Sequence, residues 1–201
     1  MPDQPLLICG QGRCGTSLCL QMLQAGGMPV IGTHPAFEDP ALLRAQVVQS
    51  VAEAFGGYAV KWLNPIPVIK GKAPPMRIVY LVRNTSQQAR SQIKLLGIAA
   101  NRQKLRALAA SIRHDDECAV RALGAIAPVQ VIRFEQMITD PILAAQKLAV
   151  PAVHYCPAFD VKAAAARVLR RTPSCAPDMA IEMAMLATLP PRPLYGQNAN
   201  G

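Results

Sequence analysis

The chain has 201 residues, six cysteines, three histidines and a formal net charge of +9. That length suits one domain able to bury about 70% of the surface its unfolded chain exposes, so disulfide staples are unnecessary. The cysteines form no C-x-x-C pair and no cluster with the histidines, which argues against zinc. No apolar run approaches the roughly 18 residues of a membrane span, and no basic-then-apolar leader is evident, so a reducing cytoplasm is the expected location. The cations are scattered, and four Phe, four Tyr and one Trp leave little for base stacking. A basic pocket for a small polyanion is expected, not a nucleic-acid surface.

Leu6 to Leu23 reads LLICGQGRCGTSLCLQML. A short apolar run is followed by Gly10, Gly12 and Gly15, and then by a helix opening at Thr16 and Ser17 with Leu18, Cys19, Met22 and Leu23 on its buried stripe. Strand, glycine turn and helix N-terminus make a nest of N–H groups suited to phosphate or sulfate. The loop departs from the nucleoside-triphosphatase pattern G-x-x-x-x-G-K-[ST]: Thr16 stands where the lysine is expected, and the cation comes earlier, as Arg13. Cys9 and Cys19 fall at apolar positions. Cys14, inside the loop, is the one thiol placed to be reactive.

The first helix is expected to end near Gln24, before Gly26 and Gly27. Met28 to Gly32 reads as a short strand and Thr33 to Pro40 as a loop bearing His34, Glu38 and Asp39. Asp39-Pro40 is the cap of a helix over Ala41 to Phe55. Tyr58 to Leu63 is a second strand with Lys61 near its end. After a basic loop with Lys70 and Lys72, Arg77 to Val82 is the clearest strand. It runs into Arg83 and a helix over Gln87 to Leu96 that carries Ser91. A long helix is expected over Gln103 to Leu123, a last strand over Val129 to Ile132, and a helix from Asp140-Pro141 through Leu148. Arg133 follows the last strand, with Glu135 near enough to be its partner. Residues 1–188 read as one domain and 189–201 as a flexible tail.

Strands alternating with helices predict a parallel sheet with helices on both faces and ligands at the carboxyl ends of the strands. Those ends offer Lys61, Arg83 and Arg133 where a magnesium-dependent hydrolase would usually place an aspartate, so an anion site without a metal is the simpler expectation.

These residues resemble the sulfotransferases that use 3′-phosphoadenosine 5′-phosphosulfate (PAPS). Gly12-Arg13-Cys14-Gly15-Thr16-Ser17 looks like that family's 5′-phosphosulfate loop. VYLVRNTSQQARS, from Val79 to Ser91, looks like its 3′-phosphate motif, a strand ending in Arg with a serine eight residues on. VIRFEQMITDP is similar to its late strand, and MLQAGGMP and SQIKLL are especially like a group of bacterial sulfotransferase-like proteins. Cys14 stands for the usual serine and Phe134 for tyrosine. The resemblance implies a three-layer α/β P-loop fold, a small parallel sheet flanked by helices. It also implies a sulfuryl donor held by Gly12, Arg13, Cys14, Gly15, Thr16, Ser17, Arg83 and Ser91, with 3′-phosphoadenosine 5′-phosphate (PAP) as product. The acceptor would be a hydroxyl or amine on a small molecule, glycan or lipid.

On that reading Arg13 and the amides of Gly15, Thr16 and Ser17 stabilise the departing oxygen, while Arg83 and Ser91 hold the 3′-phosphate. Lys61 either touches the sulfuryl oxygens or reaches solvent. Arg170 and Arg171 either close over the nucleotide or end a solvated helix. The base is expected in the loop after the first helix, with His34 favoured slightly over Glu38 because an imidazole of ordinary pKa can be neutral near pH 7. The alternatives are a nucleotide-binding relative without transfer, a small-molecule kinase with an aberrant loop, and a non-enzymatic basic module that binds nucleic acid with a steep salt dependence.

Overall fold

Leu6, Leu7, Ile8 and Cys9 are all fully buried. Successive side chains of a strand point to opposite faces, so both faces of this one are covered. In the computed structural model, which describes residues 4–34, 36–39, 55–65, 76–99 and 101–168, β1 (Leu6–Gly10) lies between β2 (Ala59–Leu63) and β3 (Arg77–Val82), with β4 (Val129–Arg133) beyond β3. The sheet is all parallel, in the order β2-β1-β3-β4.

On one face Leu6, Ile8, Val79, Leu81 and Ile132 pack against α1 (Thr16–Ala25), α4 (Phe134–Thr139), α5 (Pro141–Ala152) and α6 (Val161–Ala166). On the other, Leu7, Cys9, Val60, Trp62, Ile78 and Tyr80 meet Ala119 and Leu123 of α3 (Arg102–Gly124). The result is the expected α/β architecture, a parallel sheet flanked by helices. A short helix α2 (Thr85–Leu96) lies against α3 through Ala89, Ala109 and Ile112. No helix among the described residues is long and apolar enough to cross a membrane.

Several boundaries differ from the sequence expectation for local reasons. Met28 to Gly32 makes only an isolated parallel bridge, Val30 with Ala59, instead of a strand. Pro29 has no N–H for a ladder, and Gly32, at φ 96°, turns the chain away. Helix α2 starts two residues early because Asn84 caps it, its side chain accepting from the Gln87 N–H at 3.2 Å. Helix α5 runs past Leu148 and takes in Pro151. A proline there leaves the Lys147 carbonyl without its helical donor, and Gln130 of β4 donates its side-chain amide to that oxygen at 2.9 Å. The short helices α4 and α6 were not expected. The expected helix over Ala41 to Phe55, apart from Phe55 itself, the lysines at 70 and 72, Arg170, Arg171 and the tail from Leu189 lie outside the described residues.

Candidate functional site

The chain leaves the middle of the sheet at Gly10, where a side chain does not fit. A Cβ there would collide with the Cys14 sulfur and sit 2.7 Å from the Leu81 carbonyl. From Gly10 to the start of α1 the loop is held on two sides. On the β2 side, Asn64, at φ 48°, donates its N–H to the Gly10 carbonyl and accepts from the Gly12 N–H with its side chain, both at 3.0 Å. Asparagine tolerates that left-handed backbone better than most residues.

On the α2 side the loop's carbonyls are taken one after another. Gln88 donates to the Gln11 and Gly12 carbonyls at 3.3 and 2.9 Å, Gln92 to Gly12 at 2.8 Å, and Arg83 to Arg13 at 3.1 Å. The N-cap of α1 is Gly15, which has no side chain to occupy the first-turn amides. A Cβ on Gly15 would strike the Phe134 ring.

Arg83 and Ser91, paired in the sequence by their eight-residue spacing, are both bonded to Arg13, which was expected at the departing oxygen instead. Arg13 sits at φ 69°, a conformation that costs a non-glycine residue about 1–2 kcal/mol. Its Nε donates to the Ser91 hydroxyl at 3.0 Å, and its carbonyl accepts from Arg83, so both ends of the residue are tied to the β3–α2 segment. Arg13 therefore groups with the residues expected to hold a 3′-phosphate. Arg83 is 6% exposed, and its guanidinium lies 4.3 Å from the centroid of the Phe134 ring. Phe134, which looked only like a departure from tyrosine, is the platform for this arginine. Glu135 is not the partner expected for Arg133: its carboxylate accepts the Asn84 N–H at 2.8 Å, and Arg133 faces solvent.

Lys61 and Glu38 meet on the other flank. The Lys61 ammonium, its side chain 5% exposed, donates to the Ser17 hydroxyl at 3.2 Å, the Ala36 carbonyl at 2.9 Å and the Glu38 carboxylate at 3.0 Å. The Ser17 hydroxyl also donates to the Ala36 carbonyl at 3.2 Å. Thr33 bridges Glu38 in a tight antiparallel turn, and its carbonyl accepts the Phe37 N–H at 2.8 Å. His34 packs edge-on against the Phe37 ring, centroids 5.5 Å apart. Of the two base candidates, Glu38 reaches Lys61; His34 lies against the aromatic anchor of the turn.

Beneath the loop is a pair that sequence reasoning missed. The Tyr80 hydroxyl donates to Asp116 of α3 at 2.8 Å, and the Gln11 side chain also bonds Tyr80. Burial pushes the Asp116 carboxyl up to about 6, against the opposing pull of the Tyr80 bond and with a further push from Asp115. Burial likewise raises the Tyr80 phenol. The Cys14 thiol is fully buried and pushed up to about 12, chiefly by burial, although the Thr16 amide favours the thiolate. Cys14 is thus an inert core group and not a reactive thiol; its own N–H donates to the Gln11 carbonyl at 3.2 Å. Thr16 is buried beside it.

Asn64, Gln88 and Gln92 also escaped the sequence reading. The only available signal was a pair of glutamines four apart at the start of a helix, on the face that carries Ser91. No protein-family model matches this chain, and no curated protein shows significant similarity to it.

Proposed function

We propose that the chain is a PAPS-dependent sulfotransferase of the P-loop type, moving a sulfuryl group to a hydroxyl or amine of an acceptor. The observation that carries this reading is the pair of polar clusters on opposite flanks of one glycine loop: Arg13, Arg83 and Ser91 on one side, Lys61, Ser17 and Glu38 on the other. When bound, the donor supplies an electrophilic sulfur and its nucleotide departs as PAP.

The residues present suit such a ligand. The first-turn amides of α1 open behind a glycine N-cap and favour an anion. Arg83 offers a fork of donors over the Phe134 ring, and Arg13 is bonded to Ser91, so two arginines serve the 3′-phosphate end. Lys61, fixed beside the Ser17 hydroxyl, supplies positive charge at the sulfuryl end. Glu38, 48% exposed and bonded to that lysine, is the group we assign to take the acceptor's proton. His34 is second choice, because its ring is placed on Phe37.

Calorimetric titration with PAP in the presence of a metal chelator tests the reading. One saturable site is expected. Absence of binding, or binding only of magnesium–ATP, would overturn it; PAP binding without transfer to any hydroxyl or amine acceptor would leave a binding protein in place of an enzyme.

A further inference from the structure

The turn joining α2 to α3 carries a second feature, separate from the glycine loop. Helix α2 closes at Gly97, φ 64°, with the N–H groups of Gly97 and Ile98 donating to the Lys94 and Ile93 carbonyls at 3.3 Å. Around that closure Leu95, Leu96 and Ile98 are 55%, 65% and 52% exposed. Single exposed aliphatic residues are ordinary, but three large ones within four positions at a turn belong to no core cluster among the described residues.

The charge around them is of one sign. Arg90, Lys94, Arg102, Lys104, Arg106 and Arg113 are all exposed, and no aspartate or glutamate occurs from Thr85 to His114. The carboxyl-terminal half of α3 is anchored on the sheet by Asp116, Ala119 and Leu123, whereas its first half clusters with α2 through Ala109 and Ile112. At 1.5 Å per residue the turn stands about 20 Å along the helix from Asp116. The turn therefore lies well along α3 from the part of that helix fixed to the sheet.

We propose that this turn docks on an anionic lipid bilayer, with Leu95, Leu96 and Ile98 entering the boundary between headgroups and acyl chains and Lys94, Arg102 and Lys104 meeting acidic headgroups. Apolar insertion and basic attraction are the two components of binding at a membrane surface, and here they coincide in sequence and in space. Nucleic acid fits less well: it has no use for the aliphatic side chains, and no Phe, Tyr or Trp occurs between Arg83 and Arg133 to stack on a base.

The test is co-sedimentation of the full chain with vesicles of phosphatidylcholine alone or mixed with phosphatidylserine. Binding to the mixed vesicles only, weakening with salt, is expected. Replacing both Leu96→Asn and Ile98→Asn leaves the charge unchanged and is expected to weaken partition at least about tenfold. Lys94→Gln and Lys104→Gln each cost about fivefold. No binding to the mixed vesicles overturns the proposal, as does binding that the paired Asn substitutions leave intact. Tight binding of single-stranded RNA without vesicle binding overturns it in favour of a nucleic-acid surface. If the paired variant fails to fold, Leu96→Trp is the second measurement: indole emission must shift to the blue on mixed vesicles, and a constant spectrum overturns the proposal.

Discussion

The two flanks of the glycine loop present different kinds of cation. On the β3–α2 side, Arg13 and Arg83 are held by a hydroxyl, a carbonyl and an aromatic face, and Glu135, the acidic residue next to Phe134 in sequence, is bonded to a backbone N–H. On the β2 side, Lys61 is bonded directly to a carboxylate. A guanidinium presents its N–H donors in a fixed fork that matches the oxygens of an anion. An ammonium is a compact point charge, and here it is held in place by a hydroxyl, a carbonyl and a carboxylate beside the helix N-terminus. The comparison teaches that the basic balance of the chain does not by itself say where an anion goes; the kind of cation and its place beside the loop do.

The largest effect is expected where the flanks share a support. Gly15→Ala puts a Cβ into the Phe134 ring at a backbone φ of 103°, and should lower unfolding free energy by about 2–5 kcal/mol in a urea melt. Gly12→Ala, whose Cβ would meet nothing closer than the Gln92 amide at 3.8 Å, should stay within about 0.5 kcal/mol. Equal losses would mean that the loop as a whole, and not the Gly15 contact, sets the geometry.

Next comes the acidic flank. Glu38→Gln should reduce transfer about a hundredfold or more while PAP affinity changes only a few-fold, because a proton acceptor is lost and the nucleotide contacts remain. Its effect on stability should not exceed about 1 kcal/mol, since Glu38 is 48% exposed. If His34→Gln abolishes turnover and Glu38→Gln does not, the base has been assigned to the wrong residue of the turn.

On the basic flank, Arg83→Ala should weaken PAP about tenfold to a hundredfold relative to the same nucleotide lacking its 3′-phosphate, measured by calorimetry. Lys61→Ala should leave that ratio unchanged. A ratio that shifts equally in both variants would erase the distinction between the flanks.

The smallest effect concerns the pair beneath the loop. Asp116 holds its proton more tightly when folded, at about 6 against an ordinary 3.8, so its contribution to stability is full below about pH 4 and is lost as pH rises toward 6. Asp116→Asn, which can still accept from Tyr80, should flatten this window by about 1–3 kcal/mol in melts across that range. An unchanged pH profile would show that the carboxyl does not titrate there.

Strands β1, β2 and β3 and the cations at their ends were legible because a doubly covered parallel strand writes itself as an apolar run, and the residue after it is placed by the fold. The eight-residue spacing marked Arg83 and Ser91 as a pair, but not that Arg13 would be bonded to both. The six-residue helices α4 and α6 were not legible, being too short to show a helical period. Nor were the loop clamps Asn64, Gln88 and Gln92: side-chain amides serve anywhere on a surface, and only the folded geometry gives them carbonyls to hold. His34 and Glu38 lie four residues apart in one turn, and ranking them required knowing which one faces Lys61.

The clamp on the loop's carbonyls also bears on when the site can exist. The bonds from Gln88 and Gln92 to Gly12 span 76 and 80 residues, and the one from Arg13 to Ser91 spans 78. Contacts of such long sequence separation close late, after the entropy of bringing distant segments together has been overcome. During synthesis the glycine loop emerges before β3 and α2, yet it acquires its shape only after α2 has emerged and β3 has added to β1. A segment made before its supports is therefore competent only after them, and an intact loop certifies that the centre of the sheet is already built.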